Sequence, residues 1–150
     1  MRWFYLVAVV AVLATLALGV VSAAGKLSYF LDWPSVIMVL APVIVLSLAS
    51  FPPSTVGRSF AVAFERRKAT DAELKAAAVF FRSLQSFVLL SGAISSMIGL
   101  VTILANLRDL SSVGKGAALL LVSLFYALVL TLVVAIPFRT AVERRLAERG

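Results

Sequence analysis

Four polar residues recur within one apolar stretch of the chain: Ser91, Ser95, Thr102 and Asn106. They fall at i, i+4, i+11 and i+15, which on a helix gathers them within about 60° of one face. Beside that face Gly92, Ser96 and Gly99 form a strip of small residues at i, i+4 and i+7. A weaker small face follows later, at Ser123, Ala127 and Thr131. Two kinds of chemistry suit such a set. Small residues let helix backbones approach closely, and hydroxyls hydrogen-bond across helices. The same groups can instead wall a hydrated path or meet a partner chain. The sequence pattern alone leaves both readings open.

Other chemistry is excluded by inventory. The chain has no histidine and no cysteine. Imidazole bases, thiolate nucleophiles, zinc hydrolysis and Ser–His–Asp catalysis are therefore absent, and no metal or cofactor is expected. No enzyme is expected either. The nearest acids, Asp32 and Asp109, stand at the ends of apolar stretches rather than inside them.

The elements that must position these residues follow from composition. The 150 residues are 62% hydrophobic and 14% charged, with mean hydropathy +1.07. Soluble domains run near 45–50% apolar and about 25% charged. The expectation is an all-α membrane protein forming a single domain of four transmembrane helices, since lipid cannot satisfy open backbone groups. Four charge-free stretches are long enough, at about 20 residues each. They are residues 3–24, 33–51, 83–107 and 117–138. Ser22-Ala23-Ala24-Gly25 also suits a signal-peptide cleavage site. The first apolar run is longer than a signal usually carries, and we read it as a retained span.

Basic residues orient the chain. Eleven of the fourteen lie on one side: Arg2, Arg58, Arg66, Arg67, Lys68, Lys75, Arg82, Arg139, Arg144, Arg145 and Arg149. Only Lys26, Arg108 and Lys115 lie on the other. The positive-inside rule then puts both termini and the segment 52–82 in the cytoplasm of a bacterial inner-membrane protein. The net charge of +7 reports this topology, and no nucleic-acid partner is expected. Trp3, Phe4 and Tyr5 suit an aromatic belt at one interface, and Tyr29 and Trp33 at the other.

Within the cytoplasmic segment, Pro52-Pro53 stops the second span. Ser54 or Thr55 is expected to cap a short helix reaching about Lys68. Val56, Phe60 and Phe64 share one face of it, which suits a helix lying at the headgroups. Thr70-Asp71-Ala72-Glu73 has the capping-box pattern and starts a helix that runs into the third span. The Lys and Arg residues here suit either plain topology or contact with anionic lipid.

No span contains an Asp, Glu, Lys, Arg or His. Intramembrane acids usually mark ion pathways and multidrug-type carriers. Any ion-carrying carboxylate must therefore come from another chain.

Taken in order, these residues resemble the MotA/TolQ/ExbB proton-channel family, and its flagellar stator branch most closely. Leu89, Gly92, Ser95, Ser96, Gly99 and Leu104-Ala105-Asn106 follow the family's third span. Val113-Gly114-Lys115 stands where stators have Ile-Gly-Pro. Leu121 to Ala127 and Pro137 are similar to the fourth span and its terminal proline. Phe30-Leu31-Asp32-Trp33-Pro34-Ser35 resembles the start of the second. Three departures are visible. The segment 52–82 is too short to hold the stator's rotor-pushing domain. Leu89 replaces the third-span proline. Of the two pore hydroxyl positions, Ser96 keeps a hydroxyl and Leu124 does not.

The resemblance implies a ring-forming, pentameric subunit of an ion channel, with protons as the expected ion. It implies a single-span partner resembling MotB or ExbD, whose transmembrane Asp carries the ion. Ser91, Ser95, Ser96, Gly99, Thr102, Asn106 and Ser123 would line the pore or face that partner. Asp32, Pro34, Gly92, Tyr126 and Pro137 would be structural. The alternative is a non-conducting scaffold or assembly module of the same fold.

Overall fold

Two successive prolines, Pro52 and Pro53, divide the first third of the chain from the rest. The computed structural model describes residues 2–22, 26–64 and 69–149. It is helical throughout, with no strand among the described residues. Helix α1 spans Arg2–Ser22, and a 3₁₀ turn occupies Leu27–Phe30. Helix α2 is Trp33–Ser50 and α3 is Pro53–Phe64. Helix α4 is Asp71–Ala105, α5 is Leu110–Leu130 and α6 is Ile136–Ala147. A π-helical segment, Thr131–Ala135, joins α5 to α6. Three helical stretches are long and apolar enough to cross a membrane: Trp33–Ser50, Asp71–Ala105 and Leu110–Ala147. Ala23 to Gly25, in the stretch that also suits a cleavage site, lie outside the described residues, as does the expected end of α3 at Lys68.

The helix starts follow from local chemistry. Asp32 caps α2 by accepting from the Ser35 N–H at 2.9 Å and from the Ser35 hydroxyl. Pro34 sits in the first turn, where its missing N–H costs nothing. Thr70 and Glu73 form the expected capping box, at 3.2 Å and 2.9 Å. One expectation is corrected at α3. The helix begins at Pro53 itself, and the Thr55 N–H donates to the Pro52 carbonyl, so neither Ser54 nor Thr55 caps it. A second correction concerns α5, whose start lies seven residues before the expected one. Asp109 caps it by accepting from the Ser111 N–H and the Ser112 hydroxyl.

Helices α4 and α5–α6 form the backbone of the fold, at 35 and 38 residues. At 1.5 Å per residue they measure about 52 and 57 Å, against roughly 30 Å of hydrocarbon. Their excess length builds an aromatic core with α3. Val62, Leu74, Ala77, Phe80, Phe81, Phe138 and Val142 are buried there. Phe60 meets Phe80, Phe81 and Phe138 edge-on, and Phe81 stacks on Phe138 with centroids 5.5 Å apart. The apolar face of α3 is therefore covered by α4 and α6, not reserved for headgroups. Tyr5 joins this core against Phe64 and Phe138, so it does not serve the outward aromatic belt.

Tyr5 also explains how the chain passes Pro137, which does not end the helix. The regular donor to the Val133 carbonyl is the N–H of residue 137, and proline has none. The Tyr5 hydroxyl donates to that carbonyl instead. The π-helical segment just before the proline takes up the change in register, with the Ile136 N–H reaching Thr131. The rest of α1 offers mostly exposed apolar side chains, including Val10 and Leu18. We expect Tyr5→Phe to cost about 1–3 kcal/mol, the range for leaving one acceptor without its partner inside the protein. The rings would still pack, so a thermal melt in detergent isolates the hydroxyl.

Ion pairs tie the ends of this core together: Arg58–Glu73, Arg149–Asp71, and Arg82 and Arg139 with Glu143. The Arg58 hydrogen bond, with help from Thr70, holds the Glu73 carboxyl below its usual range. Arg82 does the same for Glu143, and the Ser112 hydroxyl for Asp109. Lowered folded-state values stabilise above the ordinary carboxylate pKa, near 4.3, and that support fades as pH falls through the lowered values. Melting temperature should therefore be flat near neutrality and fall in acid. Neutralising Glu73 and Glu143 together as Gln should remove part of that acid slope.

Candidate functional site

The polar residues are gathered where α4 packs along α5, with α2 against both. Gly92, Ser96 and Gly99 all face α5. A Cβ placed on Gly92 would lie 2.2 Å from the Ala127 Cβ. One placed on Gly99 would lie 2.5 Å from the Leu120 nitrogen and 2.6 Å from the Gly116 oxygen. The two backbones therefore touch, and only glycine permits it. Ser96 closes the same seam by donating to the Leu120 carbonyl at 2.8 Å. Gly116 completes the contact from the α5 side. Sequence reading missed it because Val113-Gly114-Lys115-Gly116 has the composition of a loop.

The four-residue stripe divides between two surroundings. Ser91 and Ser95 are buried, and Ser95 donates to the Ser91 carbonyl at 2.7 Å. Thr102 is half-buried and donates to Ile98. Asn106 is exposed at the end of α4, where its side-chain N–H donates to Thr102. The Ser95 and Thr102 hydroxyls and the Asn106 amide thus bond back to their own helix, the usual way serine and threonine sit in an apolar segment.

Ser123 is fully buried on α5. Its hydroxyl has no hydrogen-bond partner among the described residues, and the same holds for Ser47 on α2 and Thr131. With Ser35, Ser91 and Ser95 they make six buried hydroxyls in the packed interior of α2, α4 and α5. Ser47 was not singled out from sequence, since one serine in an apolar helix gives no signal. Val43, Val88 and Ala127 pack together among them. The outward surfaces of α4 and α5 are aliphatic, with Leu89, Ile94, Val101, Leu121, Leu124 and Leu128 exposed.

At the start of α2, Asp32 and Tyr126 are brought together. The Tyr126 hydroxyl donates to the Phe30 carbonyl and accepts from the Asp32 N–H at 3.4 Å. This node fastens the turn before α2 onto α5, with Phe30 against Phe125 at 5.0 Å. Asp32 is thereby a helix cap, and Tyr126 a clamp.

Chemically, the assembly offers hydroxyls and carbonyls along a close helix seam, with no Asp, Glu, Lys or Arg between residues 83 and 107 or 117 and 138. No three acids lie close enough to hold a metal ion among the described residues. No family model matches the chain, and no curated protein matches it.

Proposed function

We propose that this chain is a membrane-embedded, ring-forming subunit of an ion-channel complex, of the MotA/TolQ/ExbB kind, that uses an ion gradient to drive a partner. In this reading α1, α2, α4 and α5 are the four spans, and both termini and the aromatic core face the cytoplasm of a bacterial inner membrane. The observation that carries it is the continuity of α4 and of α5–α6. The helices that cross the bilayer are the same helices that build the core beyond it, so a displacement in the membrane is transmitted without an intervening loop. A charge-free interior adds support, because the ion must then be carried by a partner's transmembrane Asp. The membrane potential alone supplies about 2.3 kcal/mol per charge per 100 mV.

Thr102 and Asn106, at the open end of α4, are the groups best available to such a partner. Ser91, Ser95 and Ser123 form the polar interior behind them, while Ser96 and Gly99 hold the seam. Proton flux into vesicles containing the purified complex tests the reading. Flux should collapse when the partner's Asp becomes Asn.

A second reading is favoured by one observation. Leu89 and Leu124 are exposed, at positions where the channel family that the chain resembles has a proline and a hydroxyl. On that basis the chain is a non-conducting scaffold with the same ring and partner. An assembled complex with no flux above empty vesicles would select it.

A further inference from the structure

Arg82 and Arg139 are the first charged residues met at the same end of the two charge-free segments, 83–107 and 117–138. They come from neighbouring helices, yet they converge on one oxygen. Arg82 reaches Glu143 Oε1 at 2.8 Å and Arg139 reaches the same atom at 3.1 Å. Arg139 also donates to Gln85 at 3.1 Å. Two guanidinium groups thus share one carboxylate, leaving a net positive charge. The shared cluster is open, with the Arg82 side chain 63% exposed and that of Arg139 35%.

Its position matters as much as its charge. In an antiparallel helix pair, the last uncharged residue of each segment marks the plane where hydrocarbon gives way to headgroups. Arg82 and Arg139 lie at that plane, where lipid phosphates lie. Guanidinium matches phosphate geometry with paired N–H donors, and each basic group near an anionic surface contributes about 1 kcal/mol.

We propose that Arg82 and Arg139, held together by Glu143, bind the phosphate of an anionic phospholipid of the surrounding leaflet. Glu143 sets the spacing of the two guanidiniums and also competes with the lipid for them. The inference requires only that α4 and α5–α6 cross a bilayer, so it stands or falls independently of ion conduction.

The test is native mass spectrometry of the full chain in mild detergent, titrated with phosphatidylglycerol and, separately, with phosphatidylcholine. Wild type should retain phosphatidylglycerol and not phosphatidylcholine. R82Q and R139Q should each weaken retention about fivefold, the equivalent of ~1 kcal/mol. R82K, which keeps the charge but loses the fork, should lose less than R82Q. E143Q should retain more lipid than wild type, because the competing carboxylate is gone. K75Q, two turns further from the bilayer on the same helix, should match wild type. A K75Q loss equal to that of R82Q would overturn the site in favour of diffuse charge, and so would weaker retention by E143Q. Displacement of the lipid by millimolar inorganic phosphate would overturn the lipid assignment, since the site would then take free anions equally well. A cooperative melt well above the temperature of the titration in each variant confirms that retention is being read on folded protein.

Discussion

Replacing Gly99 by alanine should lower the stability of the folded chain by about 3 kcal/mol, the upper end of what overpacking costs. The new methyl would stand 2.5 Å from the Leu120 nitrogen, 2.6 Å from the Gly116 oxygen and 2.9 Å from the Leu120 Cα. All three are backbone atoms, so no side chain can swing away to make room. Helices α4 and α5 would have to separate along the seam, stretching the Ser96–Leu120 hydrogen bond as they do. The matched control is Gly57→Ala in α3. Nothing lies within 4 Å of a Cβ there, and the position is exposed. Alanine at an open helical site should stabilise by about 0.5–1 kcal/mol through reduced backbone entropy in the unfolded chain. One substitution chemistry thus has opposite signs at two glycines. Thermal denaturation in a single detergent compares them directly, and equal effects would contradict the close seam.

Phe81→Ala should cost about 3–5 kcal/mol, the range for emptying a buried aromatic site. Phe81 is fully buried and touches aromatic rings from three elements: Phe60 of α3, Phe80 of its own helix and Phe138 of α6. The helices around it are held together at the chain ends as well. Arg145 donates to the Val62 carbonyl, and Arg149 to the Ala69 carbonyl at 2.6 Å. The cavity therefore cannot collapse cheaply. The loss should fall on the cap first, so α3 should become open to protease at temperatures where α4 and α5 remain folded. Simultaneous loss of all helices would show that cap and spans unfold as one unit.

Much of this architecture is legible in the residues, for reasons that differ from element to element. The capping box at Thr70 and Glu73 is written in four consecutive residues, so it can be read without a partner. The span interiors are equally local, because twenty uncharged residues specify a helix in lipid. Their ends are not, since a helix can leave the membrane and continue. Arg82 and Arg139 mark where charge begins, yet both helices run on, to Asp71 on one side and Ala147 on the other.

The candidate site shows the same divide. Periodicity sets Gly92, Ser96 and Gly99 on one face, but it does not say that α5 lies against that face. Tyr5 is ambiguous for a related reason, since an aromatic at a span end suits a lipid belt and a buried core equally well. Its pairing with the Val133 carbonyl depends on a proline 132 residues later in the chain. No local pattern connects them.

The assembly itself is tested most directly by native mass. The tagged chain would be extracted gently from its own membrane, and the complex weighed and its members identified. The proposed function predicts five copies of this chain together with a single-span protein carrying an Asp in its membrane helix. A monomer or dimer with no such companion would contradict it, and the hydroxyl-rich interior would then be helix packing alone.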